Sequence, residues 1–343
     1  MLQNAARALT DLNGTGIGIL EHSHRGSAFL EVLQAAEANI RTLAAVPDDY
    51  AVLFMTASAT HHFTLLARNF LASSAGDATA DYCDTGVWSN KAIAAAKPFG
   101  NVHIACSAAP DFTAIPTTLN LSPGTRYVHF TSNNTIYGTQ WQTEPQVGAT
   151  PLICDASSDI FSKPIDISRY ALLYAGAQKN LGPSGISLVI ARREFLATAA
   201  PGLAPLEDYR TYDREQSLYN TPNTFGIFVI GETVKWLLAQ GGLAAIAEHN
   251  AHKAARLYNF LEESEMWRAR ARVGHRSLMN VTFGGSTKEH EEGFLTRAEA
   301  LGLSGLRGHR ALGGLRASIY NAFPLQGVEA LIAALKAYEL ENR

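Results

Sequence analysis

The chain has 343 residues, of which 47% are hydrophobic and 17% are charged, a composition typical of a globular protein long enough for two domains. Its formal net charge is −3. Without a long basic run or an apolar run of membrane-spanning length, neither nucleic acid nor a membrane is an expected partner. Three cysteines without CxxC spacing argue against a zinc site or a disulfide framework. Together with the absence of a secretory leader pattern, they predict a cytoplasmic protein.

The N-terminal region is predicted to be helical. Residues 1–13 have a helical apolar spacing, and residues 27–46 form a longer amphipathic pattern that begins just after His24 and Arg25. These two cations are either ordinary capping and surface charge or an anion contact. The second interpretation rests on the planar fork that arginine presents to carboxylate or phosphate.

A buried strand is predicted over residues 50–55, followed by small hydroxyl residues at 56–60 and a helix from His61. Such a strand–helix junction binds phosphate through the free N–H groups of the first helical turn, or it is simply a Ser/Thr cap. The sequence leaves both interpretations open. The doublet His61–His62 is expected at the surface.

Strands and helices continue to alternate as far as residue 195. Trp88 follows a strand-like run and either packs in the core or stacks on a flat cofactor ring. Further strand-like runs cover residues 101–106 and 127–131, and the second leads into a polar turn. This alternation predicts an α/β fold with a mostly parallel sheet.

Two later strand-like runs are each followed by a residue with a reactive side chain, one a carboxylate and the other an amine. Asp155 follows residues 150–154, and Lys179 follows residues 170–177 among Gly, Asn and Pro residues. A lysine amine forms a Schiff base with the aldehyde of pyridoxal phosphate, and a carboxylate against the pyridine nitrogen makes the ring a better electron sink. Neighbouring parallel strands would bring both side chains to one sheet edge. A solvated lysine and a helix-capping aspartate are the alternatives, and the pairing of the two favours the cofactor site.

The last third of the sequence predicts a smaller α+β unit. Irregular residues 198–225 precede helices over 227–240 and 243–263, strands at 277–283 and 315–320, and a closing helix over 325–340. Arg310 and Arg316 flank a Gly-Gly turn in this unit. They are either surface arginines or, if both point into one cleft, contacts for a substrate with two negative charges.

Together, these motifs resemble those of the phosphoserine aminotransferase family, class V aminotransferases of the pyridoxal phosphate fold type I. The resemblance covers nearly the whole chain and is carried by EHSHRG (21–26), NNTIYG (133–138), YAGAQKN (174–180), NTP (220–222) and GHRALGGLRASIYN (308–321). It implies a large cofactor-binding domain, residues 1–248, with a mostly parallel seven-stranded sheet. A small α+β C-terminal domain, residues 249–343, follows. It also implies a homodimer with shared active sites.

The resemblance also implies a set of site residues. Lys179 would bind the cofactor covalently, with further cofactor contacts from Ala59, Thr60, Trp88, Thr135, Asp155 and Gln178, and from Asn220 and Thr221 of the other subunit. The substrate phosphate would contact His24, Arg25, His309 and Arg310, and the substrate α-carboxylate would contact Arg316. No metal is implied.

The activity implied by the resemblance is transamination of O-phosphoserine with 2-oxoglutarate in serine biosynthesis. Some members of the family also act on 4-phosphohydroxythreonine in pyridoxine biosynthesis. Two alternatives remain: another class V enzyme for a different acidic amino acid, and a catalytically weakened protein that keeps the scaffold as a binding module.

Two departures from the family pattern bear on these alternatives. Thr60 stands where some relatives have arginine, so one phosphate contact is expected to be missing. An Asn-Phe…Gly-Pro segment does not precede the first helix, so weaker substrate binding is expected.

Overall fold

The computed structural model describes residues 1–72, 78–310 and 312–342. The helices are α1 (Leu2–Ala8), α2 (Ser27–Ala44), α3 (Ala59–Phe70), α4 (Val87–Ala96), α5 (Arg193–Leu196), α6 (Tyr209–Arg214), α7 (Thr224–Ala239), α8 (Gly242–Glu263), α9 (Lys288–Ala300) and α10 (Leu325–Glu341). The strands are β1 (Tyr50–Met55), β2 (Thr79–Asp84), β3 (Asn101–Ser107), β4 (Val128–Thr131), β5 (Asn133–Asn134), β6 (Thr139–Gln140), β7 (Leu152–Asp155), β8 (Leu172–Gly176), β9 (Ser187–Arg192), β10 (Trp267–Ala269), β11 (Asn280–Gly285) and β12 (Leu315–Ser318).

Seven strands form one sheet in the order β1-β9-β8-β7-β4-β2-β3. The pairs from β3 to β8 are parallel, whereas β9 runs antiparallel to both β8 and β1. Strands β1, β4, β7 and β8 are buried along their whole length. Continuous apolar strands are expected where helices cover both faces of a sheet. The predicted α/β class with a mostly parallel seven-stranded sheet is therefore confirmed.

Helices pack on both faces of this sheet because each presents one apolar stripe. On one face, α2 and α7 contribute Phe29 and Ile230 to the core. On the other, α3 and α4 contribute Phe63, Leu66 and Ile93. None of the described helices is long and apolar enough to span a membrane.

The two strands with candidate chemistry are neighbours in the sheet. Strand β7 pairs in parallel with β8, and Asp155 lies opposite Tyr174. Asp155 ends β7, and Lys179 lies just beyond Gly176, the last residue of β8. The prediction that parallel neighbouring strands carry these two residues to one sheet edge is confirmed.

A second, antiparallel sheet of three strands, in the order β10-β11-β12, lies in the C-terminal third. Helices α8, α9 and α10 pack against it around the fully buried Trp267. Helix α8 also contacts α2 and α7 of the first sheet. The predicted domain boundary after residue 248 lies within this continuous helix, and it stays a prediction.

The structure corrects two local expectations. His62 is fully buried rather than at the surface, and its ring bonds Tyr209 and Ser187 at 2.8 and 2.7 Å. The stretch over 198–225 is not irregular throughout, because it contains α6. In both cases the determinant is packing against residues distant in the chain.

Candidate active site

Lys179 and Thr135 are joined directly. The Lys179 Nζ donates to the Thr135 Oγ1 at 2.7 Å, and the same Nζ lies 5.4 Å from the centroid of the Trp88 ring. Burial lowers the pKa of Lys179 to about 8, the Asp155 carboxylate opposes this shift, and the Arg316 charge adds to it. A lysine with this pKa has an appreciable neutral fraction near neutral pH, which nucleophilic attack requires.

Asp155 lies at the end of its strand with 4% of its surface exposed. Burial raises the pKa of the Asp155 carboxyl, and hydrogen bonds from Ser157 and the charge of Lys179 oppose that shift. The Ser157 backbone N–H donates to Asp155 Oδ1 at 3.0 Å, and the Ser157 Oγ accepts from the N–H of Gly176 at 3.0 Å. Ser157 thus ties the end of β7 to the end of β8. Lys179, Thr135 and Asp155 are called the lysine region below.

The start of α3 and the Gln178 side chain approach Gly176, the last residue of β8. A Cβ added to Gly176 would lie 2.8 Å from the Gln178 Oε1 and 3.4 Å from the backbone nitrogen of Ala59. Ala59 begins α3, and among the described residues Ser58 makes no side-chain cap for that helix. The first N–H groups of a helix have no intrahelical acceptor, so those of Ala59 and Thr60 can bind an anion.

The Trp88 ring lies close to the Lys179 amine. Its indole Nε1 is buried and has no hydrogen-bond partner among the described residues. Lys91 lies three residues after Trp88 on α4, and its Nζ is 4.8 Å from the centroid of the same ring. The sequence analysis did not single out Lys91. Its i+3 spacing from Trp88 nevertheless indicates that the two side chains are neighbours if this segment is helical.

Arg310, Arg316 and His309 gather near the lysine region and are called the arginine region below. Burial lowers the pKa of His309, and the nearby charges of Arg316, Arg310 and Lys91 lower it further. Neither arginine forms an ion pair with a carboxylate among the described residues, and the buried Arg316 Nε lacks a partner there. An unneutralised guanidinium of this kind suits a ligand carboxylate or phosphate.

Four predicted site residues are not joined to either region within the described part of the chain. Arg25 lies exposed before α2, and its Nε contacts only the His24 Nε2, at 3.3 Å. Asn220 and Thr221 lie exposed just before α7. Their assigned roles remain predictions. Among the described residues no group of His, Cys, Asp and Glu is placed to hold a metal ion.

Lys179 and Asp155 thus lie together at the carboxyl edge of a mostly parallel α/β sheet, with Arg316 close enough for its charge to act on the lysine. The model of the family aminotransferase class-V matches residues 1–331. The chain therefore belongs to the class-V aminotransferase family.

Two curated relatives match over almost the full chain. The phosphoserine aminotransferase of Herpetosiphon aurantiacus is 45% identical over 335 residues, covering 96% of this chain and 92% of the relative. That of Pseudomonas putida is 42% identical over 345 residues, covering 100% of this chain and 95% of the relative.

Solved structures give the same family. The phosphoserine aminotransferase from Bacillus circulans subsp. alkalophilus superimposes with a TM-score of 0.96 at 40% identity, covering 100% of this chain and 95% of the other. The phosphoserine aminotransferase of Trichomonas vaginalis, solved with bound PLP, has a TM-score of 0.91 at 33% identity, covering 98% of this chain and 95% of the other.

Proposed function

We propose that this chain catalyses the reversible transamination of O-phosphoserine with 2-oxoglutarate, giving 3-phosphohydroxypyruvate and glutamate, with pyridoxal phosphate as cofactor. One observation carries the proposal: the amine–carboxylate pair Lys179 and Asp155 lies beside Arg310 and Arg316, which have no carboxylate partner among the described residues. The relatives named above support the choice of substrate.

The residues of the lysine region suit the cofactor. When bound, pyridoxal phosphate supplies an aldehyde that links covalently to amines and a ring that accepts the electron pair left at the substrate Cα. We assign the covalent link and the movement of the α-proton to the Lys179 Nζ. Asp155 would hold a proton on the pyridine nitrogen: burial raises the pKa of its carboxyl, and a buried carboxylate is stabilised when a positive charge such as a pyridinium faces it.

Three further groups would orient the cofactor. Trp88 offers a ring face for stacking, 5.4 Å from the Lys179 Nζ. The Thr135 hydroxyl, 2.7 Å from the same nitrogen, would contact the phenolic oxygen. Gln178 and the first N–H groups of α3 would hold the phosphate, because a helix N-terminus carries a partial positive charge.

The substrate contacts follow from charge. We assign the α-carboxylate to Arg316, whose guanidinium can make two parallel hydrogen bonds to it. We assign the substrate phosphate to His309 and Arg310, together with His24 and Arg25. Serine biosynthesis is the corresponding role, and action on 4-phosphohydroxythreonine in pyridoxine biosynthesis is a separate question of substrate range.

A homodimer in the cytoplasm completes the proposal. Among the described residues, five of the exposed large hydrophobic side chains lie within the first twenty positions, including Leu2 at 86% and Leu20 at 66% exposed. Packed against a second copy of the chain, these side chains would leave contact with water. Asn220 and Thr221 would then reach the cofactor phosphate of the partner subunit. Free thiols at all three cysteines suit a reducing compartment.

The test is a comparison of amino donors with the purified, cofactor-loaded protein. Glutamate formation from 2-oxoglutarate is measured with phosphoserine, serine, aspartate and alanine as donors. We expect phosphoserine to give the largest kcat/KM. A larger value for an unphosphorylated donor, or no turnover with any donor, would overturn the proposal. Light scattering of the same sample tests the homodimer.

A further inference from the structure

A bridge of buried side chains connects the catalytic turn to the strand that carries Arg316. Asn180 directly follows Lys179 and is only 6% exposed. Its Nδ2 donates to the carbonyl oxygen of Ile160 at 3.1 Å, and its Oδ1 accepts from the backbone N–H of Asn321 at 3.1 Å. Asn321 lies three residues beyond the end of β12, and Arg316 lies within that strand.

A second bridge joins the Thr135 turn to the same strand. Asn133, two residues before Thr135, donates from its Nδ2 to the Asn280 Oδ1 at 2.8 Å. The Asn280 Nδ2 in turn donates to the Ser318 Oγ and the Tyr320 hydroxyl, both at 3.1 Å. Asn133 and Asn280 are 1% and 0% exposed. Two of the three segments of the lysine region, those of Lys179 and Thr135, are therefore bonded to the segment that holds Arg316.

Lys253 fixes the far side of that segment. It is 0% exposed, and its Nζ donates to the carbonyl oxygens of Ile319, Tyr320 and Phe323 at 3.0, 2.7 and 3.0 Å. A buried ammonium that binds several carbonyls holds them in one arrangement, because each lost contact leaves a desolvated charge. The chain after β12 is thus fixed from both sides.

We propose that Asn180 and Asn280 are positioning residues that set the distance between Arg316 and Lys179, and so govern recognition of the α-carboxylate. The proposal rests on the proposed transamination. Any amino donor or oxo acid must reach Lys179 with its reacting carbon while Arg316 holds its carboxylate. A displacement of about 1 Å between two such groups can cost about 100-fold in kcat/KM.

The decisive experiment is a double-mutant cycle. We expect Asn180→Leu to lower kcat/KM about 10- to 100-fold for both phosphoserine and 2-oxoglutarate, mainly through KM. In an Arg316→Ala background the same change should cost less than about threefold, because Asn180 acts through Arg316. The affinity of the apo-protein for pyridoxal phosphate should change less than about threefold, since the bridge lies on the carboxylate side.

Asn69→Leu is the matched control. Asn69 is 1% exposed, and its Nδ2 donates to the carbonyls of Leu65 and Glu207 at 2.8 and 2.7 Å, away from both regions. This variant should lose thermal stability with little change in KM. If Asn180→Leu does not fold, Asn280→Ser, which shortens the second bridge, takes its place in the same cycle.

Two results would overturn the inference: KM values that respond no more to Asn180→Leu than to Asn69→Leu, or full additivity with Arg316→Ala. Either result, obtained with a wild-type protein that transaminates phosphoserine, leaves the proposed function standing. An inactive wild-type protein would instead remove the proposed function. In that case the titrated affinity of the loaded protein for 2-oxoglutarate still tests the bridge, and an affinity unchanged by Asn180→Leu overturns the inference.

Discussion

The lysine region and the arginine region are built in opposite ways. In the lysine region, the Lys179 Nζ has a protein partner at 2.7 Å and the Asp155 carboxylate accepts an N–H at 3.0 Å. In the arginine region, Arg310 is exposed and neither arginine meets a carboxylate among the described residues. The first region is preorganised by hydrogen bonds, as the proposed covalent chemistry requires, whereas the second keeps unneutralised charge, as the proposed contacts with a charged substrate require.

Replacing Lys179 should produce the largest loss of activity, because it removes the amine of the lysine region. Lys179→Ala removes both the amine for the covalent link and the group that moves the α-proton, so we expect turnover to fall by about 10⁴-fold or more. Borohydride reduction followed by mass analysis should find no cofactor adduct. Lys91→Ala, the control, should keep its adduct, and an adduct that persists in Lys179→Ala would identify another lysine as the nucleophile.

Asp155→Asn tests the carboxylate of the lysine region. An amide cannot stabilise a positive charge on the pyridine nitrogen, so we expect kcat to fall roughly 10²- to 10³-fold, with cofactor affinity nearly unchanged. Asp159→Asn is the control, because Asp159 is also a buried carboxylate near Asp155 but bonds Ser132 and Gln140. Near-normal turnover in Asp155→Asn would show that another group protonates the ring.

Arg310→Ala tests the arginine region without touching the covalent chemistry. A lost charge-assisted contact costs about 1.5–3 kcal/mol, or roughly 10- to 150-fold in the preference for phosphoserine over serine. Arg307→Ala is the control, since Arg307 is paired with Glu292 at 2.6 Å on the exposed surface. Equal losses with both donors would remove the phosphate assignment.

The smallest effect concerns pH. Because burial lowers the pKa of Lys179 to about 8, the amine is mainly protonated below that pH and mainly neutral above it. Only the neutral amine attacks an aldehyde, so capture of pyridoxal phosphate by the apo-protein should accelerate as pH rises to about 8 and then level off. Stopped-flow absorbance measures this rate. A plateau that begins only above about pH 10 would mean that Lys179 keeps an ordinary pKa.

The sequence predicted the lysine region better than its surroundings. The strand patterns before Asp155 and Lys179 are local, and the parallel pairing of β7 with β8 follows from a general rule of α/β folds. The contact between Asn180 and Asn321 joins residues 141 positions apart, and no local pattern predicts such a pair. For the same reason His62, which bonds a tyrosine 147 positions away, was wrongly expected at the surface.

The arginine region was predicted only in part. The resemblance of the GHR and Gly-Gly motifs to the family indicated Arg310 and Arg316, but Lys91 lies on a helix more than 200 residues earlier and belongs to no recognised motif. Its proximity to His309 emerges only when the two sheets are placed together. Long-range electrostatics of this kind depends on tertiary structure rather than on sequence spacing.

Helix α8 also bears on how the protein melts. Its 22 residues span about 33 Å, and one helix packs against α2 and α7 as well as against β10, β11 and α10. If either sheet unfolded, one half of α8 would lose its apolar contacts. The half that stayed packed would then be about as short as isolated helices that are only marginally stable in water. We therefore expect the two sheets to lose their structure together, as a single heat-absorption peak in scanning calorimetry.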